Sequence, residues 1–164
     1  MIIIRDANID DAVTIAALST KARQKAHLGI VPVEVLAEEL VTEKRIENFK
    51  KRATDNNEIF FVAEENNKIL GFLWGGINNN KNIPYPYEIH ALYVDIEYQQ
   101  QGIGRLLIEE FKNRINHQVF SLYMLKGNES RKFYNKLGGE ELPEYAISKE
   151  MHGWQAPLVM FRFS

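Results

Sequence analysis

The run Gln99-Gln100-Gln101-Gly102-Ile103-Gly104-Arg105 sets two glycines and an arginine at the head of an apolar-periodic stretch. Glycine lets the backbone turn sharply and come close to a ligand. The first amides of a helix have no intrahelical partner, and the helix dipole adds positive potential there. Together these make an anion site suited to phosphate, to which Arg105 adds a charge. The plainer alternative is a bent strand-to-helix connection that binds nothing. A dinucleotide fingerprint would need a third glycine where Leu107 stands. A Walker A loop would need Gly-Lys-Ser/Thr, which the chain lacks.

Acid-base groups stand before and after this turn. Glu88 and His90 lie on the β-rich segment Tyr87 to Val94, where strict alternation places Glu88, His90, Leu92 and Val94 on one face. Glu88 reads either as a base or as a strand-edge carboxylate that attracts or solvates a cation. His90 reads as a rival base or as a packed, hydrogen-bonded side chain. Downstream, Asn128 suits a helix N-cap, and Tyr134 offers a phenol or plain aromatic packing.

These groups need a scaffold, and the remaining pattern supplies one. Ile2 to Arg5 reads as a strand. Asn8 and Asp10 are N-cap candidates for a helix to about Arg23, with Ile15, Leu18 and Ala22 in its stripe. After a break at His27 to Pro32, Pro32 sits near a helix start, with Leu36 and Leu40 as its apolar stripe. Thr42 caps a further helix that turns Ile46 and Phe49 inward. Ile59 to Glu64 and Ile69 to Trp74 form a hairpin around Glu65-Asn66-Asn67-Lys68. Asn78 to Asn82 is a polar loop. In the helix Ile103 to Ile115, residues Ile103, Leu106, Leu107, Phe111 and Ile115 face one way. Phe120 to Leu125 is a strand, Ser130 to Leu137 a helix closed by Gly138, and Glu140 to Ser148 and Leu158 to Phe163 are strands. The unit from Tyr87 to Leu125 is expected to be a parallel, right-handed crossover, in a mixed sheet with helices on both faces.

Composition narrows the function. The chain has 164 residues, 45% hydrophobic and 26% charged, which suits one domain over 1–164. With no cysteine, disulfides, thiolate metal sites and a cysteine nucleophile are excluded. His27, His90, His117 and His152 show no metal-ligand spacing, so no metal is expected. A net charge of −2 disfavours a nucleic-acid footprint; Lys50-Lys51-Arg52 reads as a solvated helix end. No apolar run approaches the ~20 residues of a membrane span, and no signal peptide opens the chain. A cytoplasmic protein is the expectation.

Gln99-x-x-Gly102-x-Gly104, preceded by Leu92-Tyr93-Val94, resembles the coenzyme motif of the GNAT superfamily of N-acetyltransferases. Asn128 to Gly139, ending Leu-Gly-Gly, resembles that family's second coenzyme motif, and the order of elements is similar along nearly the whole chain. The resemblance implies an α/β fold of GNAT type, a central mixed, mostly antiparallel sheet flanked by helices. It implies acetyl-CoA as co-substrate and an amine as acceptor. Backbone groups of Leu92 and Val94 would pair with the pantetheine arm as with an added strand. Amides of Gln99, Gln100, Gln101, Gly102, Ile103, Gly104 and Arg105 would hold the pyrophosphate, and the Asn128 side chain would contact the coenzyme. Tyr134 matches the family's tyrosine near the sulfur, and Glu88 the glutamate of its histone acetyltransferase branch. His27 to Pro32 resembles its variable acceptor loop, and a homodimer through the terminal strands is implied by the resemblance alone.

Acetyl transfer to an amine sets three requirements. An ammonium, with a pKa of roughly 10.4 for a lysine-like amine, must lose its proton, for which Glu88, His90 or water are the candidates. The oxyanion must be held, for which a backbone N–H near Val94 is the natural donor. The departing thiolate must be protonated, for which Tyr134 is the candidate. Trp74, Tyr85, Tyr87, Tyr145 and Trp154 could wall an acceptor pocket, or simply pack the sheet. A second class of function, a non-catalytic acyl-CoA-binding or regulatory module, keeps the glycine turn and needs no base, acid or acceptor pocket.

Overall fold

The computed structural model describes residues 1–38 and 40–164. Strand β1 (Ile3–Asp6) leads through a 3-10 turn (Ile9–Asp11) into helix α1 (Ala12–His27), followed by α2 (Val33–Ala37) and α3 (Glu43–Thr54). The strands β2 (Glu58–Glu65), β3 (Lys68–Ile77) and β4 (Tyr87–Val94) precede α4 (Ile103–Arg114), β5 (Phe120–Leu125), α5 (Ser130–Lys136), β6 (Glu140–Met151) and β7 (Trp154–Phe163). The seven strands form one sheet in the order β1-β2-β3-β4-β5-β7-β6. Neighbours are antiparallel except β4 and β5, whose parallel pairing is spanned by α4. The expected mixed, mostly antiparallel α/β sheet with flanking helices is present.

Local chemistry fixes the corners. At the start of α1, the Asn8 side chain accepts from the Asp10 amide while the Asp11 carboxylate accepts from the Asn8 amide at 2.8 Å, a reciprocal cap. Arg5 on β1 donates to both Asp11 oxygens, at 2.7 and 2.9 Å, and to Glu64 on β2, so helix and strands are clamped together. No breaker stands at Arg23, and α1 runs one turn further to His27. It stops before Gly29, whose φ of +80° continues no helix.

Helices cover both faces. One face packs Phe61, Leu73, Leu107, Phe111 and Phe161 beneath α4. The other packs Ile15, Ala16 and a triad of rings, Phe49, Phe60 and Phe72, with centroids 5.8 to 6.1 Å apart. A small third cluster seats Val31, Val35 and Leu36 on Leu125 and Ala156.

Three expectations need correction. Leu106 is 45% exposed rather than part of the α4 stripe. At 100° per residue it falls roughly 120° from the centre of the arc made by Ile103, Leu107, Phe111 and Ile115. Helix α2 ends at Ala37, so Leu40, 58% exposed, joins no stripe. The last two strands form a longer hairpin than the pattern suggests, running to Met151 and restarting at Trp154.

Candidate active site

The site is built where β4 changes partners. On its β3 side, Val94 pairs with Gly71 and Ala91 with Trp74, after which Gly75 pairs with Ile89, so His90 stands opposite nothing. This is a β-bulge. It needs Gly75: a Cβ there would lie 2.5 Å from the Glu88 carbonyl oxygen and 2.9 Å from the Phe111 ring. On the other side, β4 meets β5 only through Tyr87, Glu88 and Ile89. From His90 onward the two parallel strands part.

The direction of the freed groups follows from one bond. The Asp95 amide donates to the Leu70 carbonyl at 2.8 Å, toward β3. Antiparallel pairing alternates, so the backbone groups of Tyr93 and Ala91 also point to β3, and those of Leu92 and Val94 point into the gap left by β5. The gap is an open strand edge, and an extended chain can add to it by backbone pairing.

The bulge corrects the expected alternation. One inserted residue reverses which way the side chains point. Tyr87 and Ile89 share the α4 face with Leu92 and Val94, whereas Ala91 packs with the α1–α3 cluster. Glu88, between Tyr87 and Ile89, lies on that second face, and His90 leans there against Trp74 with ring centroids 4.6 Å apart. Glu88 and His90 therefore do not share a face with Leu92 and Val94. The His90 Nδ1 is 3.7 Å from the Glu88 carboxylate.

Beyond Val94 the chain makes a 3-10 turn over Ile96–Tyr98 and then the glycine turn. Gln99 donates its side-chain amide to the Val94 carbonyl at 3.1 Å, and Gln101 reaches the Glu97 carbonyl at 3.4 Å. These side chains brace the turn and leave the main chain to face outward. Gly102 precedes α4 with φ +84°, which an L side chain would resist. It supplies no capping side chain, and within the described residues no hydrogen bond uses the amides of Ile103, Gly104 or Arg105. Three unpaired donors at a helix N-terminus fit a pyrophosphate.

Gly104 has a different reason to be glycine. A Cβ there would come 2.9 Å from the Phe133 ring. The contact locks the head of α4 to α5, joining the two runs that resemble coenzyme motifs. The N-cap position of α5 is Glu129 rather than Asn128, but the Asn128 side-chain oxygen accepts from the first helical amide, that of Ser130, at 2.9 Å; its own amide nitrogen makes no bond within the described residues.

Tyr134 is buried, with its ring edge-on to Phe133 and packed on Phe161 and Phe163. Burial first, and the nearby Tyr93 second, push its phenol well above the ordinary value. The hydroxyl therefore keeps its proton throughout the neutral range. Tyr134 belongs to the α4–α5 face and Glu88 to the opposite one, so the parting of β4 from β5 is what opens a path between them.

Of the aromatic side chains near Glu88, Tyr85 and Tyr145 are among the expected pocket walls, and Tyr123 is the one the sequence did not single out. Four β6 residues, 143–146, stand opposite the single β7 residue Val159, so β6 bulges out over the sheet. From this bulge the Tyr145 carbonyl accepts from the Tyr123 hydroxyl at 3.1 Å, and its ring meets Tyr85 edge-on at 6.1 Å. Burial and then the Glu88 carboxylate raise the Tyr123 phenol, which places Glu88 in the same cluster. Trp74 is already engaged. Its indole N–H donates to Glu58, and Arg52 stacks 3.6 Å from its ring centroid. The signal was the aromatic content of these segments, but only the bulge in β6 brings them together.

The chain and its fold are similar to known acetyltransferases. Residues 56–138, just over half the chain, match the family model described as an acetyltransferase (GNAT) domain. The chain is 24% identical over 147 residues to an uncharacterized N-acetyltransferase, YuaI of Bacillus subtilis, covering 88% of this chain and 83% of that one. Its fold is similar to that of the PaiA N-acetyltransferase of Thermoplasma acidophilum solved with coenzyme A (TM-score 0.74, 22% identity, 99% of each chain). It is also similar to YncA of Salmonella typhimurium, a putative acetyltransferase solved with acetyl-CoA (TM-score 0.67, 18% identity, 99% of this chain and 93% of that one). The overall fold is thus shared with solved acetyltransferases, and by the family model this chain belongs to the GNAT acetyltransferases.

Proposed function

We propose that the protein transfers the acetyl group of acetyl-CoA to a primary amine by direct attack within a ternary complex. The observation that carries this reading is the parting of β4 from β5 between Glu88 and the glycine turn. The freed backbone of Leu92 and Val94 would bind the pantetheine arm as a strand. The amides of Ile103, Gly104 and Arg105 would hold the pyrophosphate, with Asn128 contacting the coenzyme from the start of α5. Both groups suit acetyl-CoA because the open edge is followed, after the turn from Ile96 to Gly102, by the uncapped helix.

At the reacting end, Glu88 takes a proton from the acceptor ammonium, directly or through water. The free amine attacks the thioester carbonyl. A backbone N–H of the open edge holds the oxyanion while the new C–N bond forms. The attacking nitrogen, positively charged after addition, gives its second proton to water, and as the C–S bond breaks Tyr134 donates its proton to the thiolate. Tyr134 recovers a proton from solvent once the thiol leaves, and Glu88 returns its own. A phenol held protonated by burial enters this sequence only as a donor.

The test is thiol release from acetyl-CoA with a panel of polyamines, aminoglycosides, amino acids and peptides, followed by mass spectrometry of the products. The expected result is turnover with at least one primary amine and a product heavier by one acetyl group. Coenzyme binding without turnover on every acceptor would overturn the reading.

A further inference from the structure

The face that carries Glu88 holds a row of polar side chains crossing the sheet. Glu88 pairs in register with Ser121, Ser121 with Arg162, and Arg162 with Glu140. Residues directly opposite one another in a sheet share a face, and the flanking Phe120, Leu122, Phe161 and Phe163 all lie on the other one. A carboxylate and a guanidinium therefore stand two strands apart, about 10 Å between backbones, with a serine between them.

Two details show that this row is not a closed structural network. Ser121 is fully buried and its hydroxyl has no partner among the described residues; the same holds for the Arg162 Nε. Arg162 spends one terminal nitrogen on Glu140, and its other makes no bond within the described residues. Beside it is an open surface depression of about 430 Å³ lined by Tyr85, Pro86, His117, Gln118 and Arg162, among others. Pro86 is two residues before Glu88, so the depression begins roughly 7 Å from it along the strand. Arg162 is the charged residue in its lining, accompanied by hydrogen-bonding His117 and Gln118.

We propose that this depression is the far-end subsite of the acceptor and takes an anionic group, so the acceptor is an amino carboxylate. Its ammonium sits on Glu88 and its carboxylate on the unbonded terminal nitrogen of Arg162. The inference rests on the N-acetyltransferase reading and on Glu88 marking the reacting end. Glu140 competes with the ligand for Arg162, which gives the proposal a signature of opposite signs. A purely structural Arg162–Glu140 pair would respond to loss of either partner in the same direction.

The experiment compares three primary amines matched in length, butylamine, 1,4-diaminobutane and 4-aminobutanoate, and the longer 6-aminohexanoate. The readout is kcat/KM for each, expressed as a ratio to butylamine. In the wild type the ratio is expected to exceed one for an amino carboxylate and to fall below one for the diamine. Arg162→Gln should lower the carboxylate ratio roughly tenfold, the scale of a charge-assisted hydrogen bond. Glu140→Gln should raise it severalfold. Equal or better use of butylamine or the diamine, or a fall in the ratio with both variants, overturns the anionic subsite and leaves the acetyltransferase reading standing. No turnover of any amine here or in the wider panel overturns both.

Discussion

The two halves of β4 behave differently. From Tyr87 to Ile89 the strand is held on both sides, by β3 and by β5, and carries buried Ile89 in the core. From Ala91 to Val94 it is held by β3 alone. Paired backbone serves stability, and the backbone that gives up a partner serves binding. Changes around the parted half should therefore register in rate and affinity, and changes at the paired framework in melting temperature.

The largest effect is expected at Tyr134. Tyr134→Phe should lower kcat about 100-fold, within the usual span for a lost general acid, with a much smaller change in the KM for acetyl-CoA. A change confined to KM would make the side chain a packing element and weaken the contrast. Because burial raises the phenol above 10.0, wild-type kcat should show no fall from loss of this proton up to about pH 10. Next is Gly75, on the framework side. Gly75→Ala must displace either the Glu88 carbonyl or Phe111, and overpacking of this kind costs about 2 kcal/mol. A drop of roughly 4–8 °C in Tm is expected by calorimetry. An unchanged Tm would mean the bulge tolerates a side chain.

Gly104→Ala sharpens the contrast, since it pushes on Phe133 without touching the strand ladders. It should raise the KM for acetyl-CoA roughly tenfold, about 1.4 kcal/mol, and Phe133→Leu in the same chain should restore part of the loss. If the second change gives no relief, the α4–α5 contact is not what demands glycine. The smallest effect is at the clamp on β1. Burial alone would raise the Asp11 carboxyl, but hydrogen bonds and charge from Arg5 hold it below its ordinary value. A depressed carboxyl stabilises the fold above its unfolded pKa of about 3.9, and that contribution disappears as pH falls through the folded value. Asp11→Asn should cost about 1 kcal/mol at pH 7 and nothing near pH 2, read by urea denaturation, with acetyl transfer kinetics unaltered.

Much of this could be read from the residues. The order of strands and helices, the parallel crossover and the glycine turn follow from apolar periodicity and from glycines placed between unlike elements. The faces of β4 could not. Alternation assumes an unbroken ladder, and the single residue inserted at His90 exchanges the two sides of everything before it. The paired glycines Gly75 and Gly76 were the available hint, because glycine inside a strand marks a bulge or a close approach. The two site glycines also looked equivalent in sequence, yet Gly102 answers to a dihedral angle and Gly104 to an aromatic ring. Ser121 was invisible as a polar group of interest, being one hydroxyl in an apolar strand, until its register with Glu88 and Arg162 was known.

The open edge of β4 also sets a clock. An amide hydrogen leaves a protein only when its bond opens, and those of Leu92 and Val94 face no strand at all on the β5 side. They should trade hydrogen for deuterium quickly in the free protein, while Tyr93, bonded toward β3, stays slow. A coenzyme arm lying along that edge would make the neighbours alike. Occupancy can then be followed residue by residue, with no acceptor present and no reaction running.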